Sequence, residues 1–175
     1  HDISFIDNYE WLRDKESAET TAYLEAENAY TAQETAHLKT LEDNIFQEIK
    51  SRVKETDMSV PTRLGRYWYY GRMEEGKSYG ISARVPVIDD WVPPVVSETG
   101  SLPGEEILLD ANQLAEGHDF FSLGASTVDD TGRYLAYSTD TEGNERFTLY
   151  IKDLETGELL DDVIDNVFYG VTWAG

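Results

Sequence analysis

From Ser17 to Val53 apolar side chains recur at steps of three and four, and from Tyr67 onward they recur at steps of two. The first spacing lays a stripe along one side of a helix, and the second fills one face of a strand. The change of period therefore predicts two regions. Ser17 is a favourable N-cap for a helix reaching about His37, with Tyr23, Ala26, Ala29, Tyr30 and Ala36 near one stripe. A second helical segment carries Leu38, Leu41, Ile45, Ile49 and Val53. Lys50, Arg52 and Lys54 give its end the charge that a helix C-terminus favours. Residues 56–61 break the pattern, and Pro61 excludes a helical continuation.

Beyond the break, short strands are predicted at Tyr67–Arg72, Tyr79–Val85 and Glu106–Asp110. A set of four follows at Phe120–Val128, Arg133–Thr139, Phe147–Asp153 and Glu158–Val163. Residues 86–104 hold four prolines and two glycines and predict a long loop. Val167–Trp173 reads as the first strand of a third set. An internal echo ties the sets together: Gly65-Arg66-Tyr67-Trp68-Tyr69-Tyr70 returns 67 residues later as Gly132-Arg133-Tyr134-Leu135-Ala136-Tyr137. Glu75-Gly76 returns in the same register as Glu142-Gly143. Stacked copies of one β-unit produce such an echo. Four-stranded antiparallel units suit the blades of a β-propeller, with a β-sandwich as the alternative. The expected class is an α+β fragment, with a helical extension at 1–57, then two blades and the start of a third at 58–175. Two blades are too few to close a ring, so the pattern predicts part of a larger protein.

Charge narrows the partners. Thirty-five acidic against 14 basic residues leave a net charge of −21. Phosphate binding needs clustered Lys and Arg, so nucleic acid and anionic membrane surfaces are excluded as partners. Such a field favours cationic ligands, although solubility or adaptation to a salty cytoplasm produces the same composition. The absence of cysteine removes disulfides, a thiolate nucleophile and Cys-ligated metal, and fits a cytoplasmic location. No apolar run approaches the roughly 20 residues that span a bilayer, and no signal-peptide pattern is visible.

One match to catalytic chemistry needs testing. Gly76-Lys77-Ser78-Tyr79-Gly80 fits the G-x-S-x-G nucleophile pattern, and Asp89 or Asp110 followed by His118 would complete a Ser–Asp–His order. A nucleophile elbow joins a strand to a helix, whereas here a strand follows. Ser78 also aligns with Glu145 of the second copy, which makes it a turn residue. His1, His37 and His118 are scattered without metal-ligand spacing, so neither a metal nor a cofactor is expected. Adjacent carboxylates such as Asp129/Asp130 and Asp161/Asp162 read as solvated turn residues. Trp68, Tyr69 and Tyr70 read as core aromatics. Phe168 and Tyr169, beside Gly170, stand where aromatics can point into a ring's central channel.

Several ordered strings carry a resemblance. They include Asp7-Asn8-Tyr9-Glu10-Trp11-Leu12-Arg13-Asp14, Tyr23-Leu24-Glu25-Ala26-Glu27-Asn28-Ala29-Tyr30, Leu114-Ala115-Glu116-Gly117-His118-Asp119-Phe120-Phe121-Ser122-Leu123-Gly124 and Asp153-Leu154-Glu155-Thr156-Gly157. Together they resemble the N-terminal part of the oligopeptidase B branch of the prolyl oligopeptidase family of serine peptidases. Trp-Leu-Arg-Asp favours that branch over the prolyl-specific one, where Trp-Leu-Glu-Asp is usual. The loop at 86–104 and Gly80-Ile81-Ser82-Ala83-Arg84 depart from the family's pattern.

The resemblance implies a seven-bladed propeller capping an α/β-hydrolase domain, on which the N-terminal helices pack. The propeller would restrict entry to short peptides, cleaved after Arg or Lys. The catalytic Ser, Asp and His lie downstream in the family, so no catalytic residue maps onto this chain. Phe168 and Tyr169 are the substrate-cleft candidates. The implied partners are the C-terminal hydrolase domain of the same parent chain and short basic peptides. The Leu41/Ile45/Ile49/Val53 stripe and open strand edges also predict that the isolated chain forms a homodimer or swaps elements. A non-enzymatic propeller scaffold and a prolyl-specific oligopeptidase are the alternatives.

Overall fold

The computed structural model describes residues 6–89, 92–97 and 100–174. They form two compact units, which divide between Val53 and Lys54.

In the first unit a short 3-10 turn, Glu10–Arg13, precedes helix α1 (Ala18–Thr35), and a second such turn, Ala36–Leu38, leads into α2 (Lys39–Ser51). Ser17 caps α1 as its sequence position predicts: its Oγ accepts a hydrogen bond from Thr20 N at 3.0 Å. Thr20, the one buried residue of α1, donates through Oγ1 to Trp11 O at 3.3 Å. The Trp11 and Tyr23 rings meet edge to face at 5.5 Å. The expected stripe along α1 is not packed, since Tyr30 is 64% exposed. On α2, Leu41, Ile45 and Ile49 are exposed too.

The second unit holds two antiparallel sheets. The first comprises β1 (Asp57–Met58), β2 (Thr62–Leu64), β3 (Tyr67–Met73), β4 (Ile81–Pro86) and β5 (Glu106–Asp110). The short helix α3 (Ala111–Leu114) leads to the second sheet of β6 (Ser122–Val128), β7 (Tyr134–Asp140), β8 (Phe147–Asp153) and β9 (Leu159–Val167), ordered as a simple meander. These sheets are blades of a β-propeller. The 67-residue echo survives in three dimensions as register. Tyr70 pairs with Ala83 in the first blade, and Tyr137 with Tyr150 at the equivalent place in the second. The repeated turn glycines adopt the same left-handed backbone, Gly76 at φ 76° and Gly143 at φ 73°.

Differences from the sequence reading have local causes. β1 and β2 lie along the same edge of β3, one strand interrupted near Pro61, which lacks an amide donor; each piece is too short for a periodic signal. β4 starts at Ile81, not Tyr79, because Asn112 takes the Tyr79 backbone: Tyr79 N donates to Asn112 Oδ1 at 3.0 Å and Asn112 Nδ2 to Tyr79 O at 2.9 Å. β9 runs four residues past the expected end, to Val167. The expected strand Val167–Trp173 does not form. β9 takes Val167 into its ladder with β8, and residues 168–174 join no sheet. Trp173 Nε1 instead donates to Thr127 O at 3.1 Å.

Two apolar clusters hold the blades. Met58, Tyr70, Ala83, Val85 and Leu102 fill the first, so the loop at 86–104 sends Leu102 back into the core. Leu108 and Leu109 of β5 meet Leu135 and Tyr137 of β7 in the second, which joins the two sheets. Burying a Leu completely contributes about 1.5–3 kcal/mol, and Leu135 is 1% exposed. Long polar side chains also cross between blades. Arg84 donates through Nη1 to Gly132 O while its guanidinium lies 3.8 Å over the Tyr67 ring. Lys152 Nζ donates to Leu108 O at 3.0 Å. The loop at 86–104 ends in a polar anchor: Arg72 forms a two-pronged pair with Glu105, whose carboxylate also accepts from Tyr70 Oη. Burial first, and then that bond, push the Tyr70 hydroxyl above its ordinary range.

Candidate functional site

Phe168 and Tyr169 follow β9 and are 68% and 52% exposed. Their rings lie 4.6 Å apart, and Tyr169 also meets the edge of the buried Phe147. Together with Phe120, Gly124, Asp140 and Glu145 they line a recess of about 550 Å³ at the hairpin end of the second blade. The two residues named from sequence thus share one concave site.

Ser138 fixes their position. Its hydroxyl, 1% exposed, donates to Tyr169 O at 2.8 Å and accepts from Ala125 N at 3.0 Å. This close approach requires glycine at 124, in a bulge where the β6–β7 register shifts. The opposite wall is a turn organised by Asp140. Its Oδ1 accepts from Glu142 N and Gly143 N at 2.8 and 3.0 Å, and its Oδ2 from Glu145 N at 2.9 Å. Desolvation acts to raise this carboxyl's pKa, but those backbone donors outweigh it and hold the value below the ordinary range. Asp140 therefore stays ionised with its oxygens committed to the turn. Glu145 adopts φ 60°, a left-handed conformation that non-glycine residues seldom take.

Ser78 lies in the exposed β3–β4 turn, and its hydroxyl makes no hydrogen bond among the described residues. Asp110 is occupied elsewhere, capping α3 by accepting from Asn112 N at 2.9 Å. His118 lines a separate recess of about 520 Å³ over the stacked rings of Tyr137 and Tyr150. Arg146, on its rim, donates to Asn166 Oδ1. The serine, aspartate and histidine of the sequence pattern are not assembled into a triad. Among the described residues no group of three or more His, Asp or Glu gathers as metal ligands, and no helix is long and apolar enough to cross a membrane.

Ser138, Asp140, Glu145, Phe120 and Phe147 were not singled out from sequence as site residues. An Asp opening a hairpin with Gly three positions later carries a legible turn signal. Nothing in the sequence marks Ser138, because its partners lie on distant segments.

Residues 1–175 match the protein family described as the prolyl oligopeptidase, N-terminal beta-propeller domain. Among curated relatives, dipeptidyl aminopeptidase BI of Pseudoxanthomonas mexicana is 42% identical, over 99% of this chain and 25% of that protein. Protease 2 of Moraxella lacunata is 36% identical, over 94% of this chain and 23% of its own. This chain thus spans about a quarter of the length of these relatives. Among solved structures, oligopeptidase B from Trypanosoma brucei with covalently bound antipain, in its closed form, superposes with a TM-score of 0.81 at 31% identity, covering 97% of this chain and 22% of that one. Oligopeptidase B from Leishmania major gives 0.78 at 30% identity, covering 91% and 22%. Register, blade order and sequence agree, and the chain belongs to the prolyl oligopeptidase family, of whose N-terminal β-propeller domain it carries a part.

Proposed function

We propose that this chain is the gating and docking segment of a serine oligopeptidase that hydrolyses short peptides after Arg or Lys. The observation that carries the reading is the aromatic recess of Phe168 and Tyr169, held by Ser138 and set in a chain of net charge −21. Exposed aromatic faces give a peptide apolar contact, while the acidic field concentrates basic ones. Chemistry belongs to a downstream α/β-hydrolase domain. There an activated serine attacks the peptide carbonyl, a histidine accepts its proton and backbone amides hold the oxyanion. The exposed α2 stripe of Leu41, Ile45 and Ile49 is the surface on which that domain docks. The helical extension ends near residue 57, and the cytoplasm is the expected location.

The relative named dipeptidyl aminopeptidase BI favours a second reading, removal of N-terminal dipeptides. One panel on the full-length protein decides between them. N-terminally blocked fluorogenic peptides ending in Arg or Lys should be cleaved, while unblocked dipeptide substrates without a basic residue should be poor. The reverse order of kcat/KM would replace the first reading by the second. Cleavage only after Pro would point to a prolyl-specific enzyme, and no cleavage of any peptide to a scaffold.

A further inference from the structure

We propose that the recess over Tyr137 and Thr139, between the two blades, binds a small zwitterion: a free amino acid or a dipeptide with an apolar side chain. Binding there is independent of which bond the full-length protein cleaves, and so goes beyond the function proposed above. Successive side chains of a strand point to opposite faces. Tyr137 and Thr139 therefore line this recess while Ser138, between them, serves the aromatic one.

The internal repeat shows what the second blade lacks. Tyr137 is equivalent to Tyr70, and Thr139 to Arg72: Arg72 pairs with Ile81 in the first blade and Thr139 with Thr148 in the second. Tyr70 Oη donates to the Glu105 carboxylate, and Arg72 Nη2 donates to the same carboxylate at 2.9 Å. The first blade thus fills this place with its own guanidinium–carboxylate pair. In the second blade a threonine stands at the arginine position, and a space of about 520 Å³ is left. Tyr137 is 3% exposed, and its hydroxyl bonds to no group among the described residues. No fully buried side-chain oxygen or nitrogen among them lacks a partner, so this hydroxyl opens onto the recess that Tyr137 lines. A donor held that deep is costly until an acceptor meets it.

The walls define the ligand. Leu114, Phe121 and Leu159 offer apolar surface. The His118 ring, which makes no hydrogen bond among the described residues, and Arg146, which uses one nitrogen on Asn166, add donors for a carboxylate. Glu142 and Asp165 offer oxygens to an ammonium group; they accept from Asn144 Nδ2 at 2.9 Å and Thr148 Oγ1 at 3.0 Å. Asp140 is committed to its turn amides. An anion alone meets the field of a chain of net charge −21, and a cation alone brings Tyr137 no acceptor. A zwitterion satisfies both sets of groups, and its side chain covers the apolar wall. The volume lies within the ordinary range of small-molecule sites.

The test is calorimetric titration of the full-length protein with leucyl-leucine, after a fluorophosphonate has blocked its catalytic serine. Saturable binding is expected, and acetylating the amino group or amidating the carboxyl group should each weaken it about tenfold. Tyr137→Phe removes one hydroxyl and keeps the ring stack. It should weaken the dipeptide about tenfold and the amidated dipeptide much less, with a melting temperature close to that of wild type. Thr139→Arg copies the first blade and should abolish binding. Absence of saturable binding, or equal affinity for the dipeptide and both derivatives, overturns the proposal. Binding that neither substitution changes overturns it too, and places the dipeptide elsewhere. If the fluorophosphonate does not label the protein, the serine-peptidase reading fails by itself, and the two substitutions still decide the recess.

Discussion

Replacing Gly124 by alanine places a methyl carbon 2.6 Å from Ser138 Oγ and 2.8 Å from the Phe147 ring. Both are below any ordinary carbon contact, and both neighbours are buried. The Gly124 backbone is not left-handed, so the penalty comes from contact alone. Overpacking of this kind costs about 1–3 kcal/mol. If Ser138 gives way, it also weakens its bonds to Tyr169 O and Ala125 N, each worth about 1 kcal/mol. Loss of glycine's freedom in the unfolded chain offsets about 0.4–1 kcal/mol. The net expectation is a destabilisation of about 2–4 kcal/mol, dominated by overpacking. Urea titration followed by tryptophan fluorescence measures it, with a constant slope confirming that the same surface unfolds. Gly71→Ala is the comparator. It also lies in a strand without left-handed backbone, but its nearest neighbour, Ile81 O, is 4.0 Å from the added carbon. That variant should stay within about 0.5 kcal/mol of wild type. A Gly124→Ala effect below about 1 kcal/mol, or equal effects at both positions, refutes the packing argument.

Three further outcomes are expected. Arg72→Met leaves the Glu105 carboxylate, 12% exposed, without its charge partner, and should cost about 3 kcal/mol. Thermolysin should then cut the 86–104 loop faster, and an unchanged cutting rate would argue against the anchor. Asp153 is held below the ordinary carboxyl range, first by its hydrogen bond from Arg133. Its contribution to stability is therefore complete above the ordinary value of 3.8 and lost as pH falls through the lower folded value. Arg133→Met should accordingly move the acid-unfolding midpoint, followed by circular dichroism, to higher pH. Ser78→Ala should leave peptide turnover by the full-length enzyme and its melting temperature unchanged; loss of turnover would restore the G-x-S-x-G reading.

Local features were legible in the sequence. The Ser17 cap, the turn glycines and the shared hairpin register each depend on residues within one or two turns of chain. Aromatic periodicity also revealed that Tyr70 and Tyr137 are equivalent core positions. What the sequence concealed joins distant segments. Arg72 and Glu105 lie 33 residues apart, Arg84 and Gly132 48, and Ser138 and Tyr169 31. Side-chain bonds of this span leave no periodic trace. The missing strand after Val167 has the same origin, since a strand is defined by a partner and not by its own alternation. For the recess, Phe168 and Tyr169 were visible as aromatics beside a glycine. Glu145, which lines the same recess, was one of 35 acidic residues and carried no mark of its own.

The two clasps between blades are asymmetric in what they demand of the genetic code. Arg84 and Lys152 supply charged donors, but their acceptors are the main-chain carbonyls of Gly132 and Leu108. A carbonyl is present whatever residue is encoded, so the clasp itself asks only for the strand's backbone at 108, whose side chain is restrained separately by the core it shares with Leu135 and Tyr137. At Gly132 only the φ of 78° restrains change. Each donor can thus outlast many substitutions in the blade it grips. Neighbouring blades can diverge in sequence while their joint is kept.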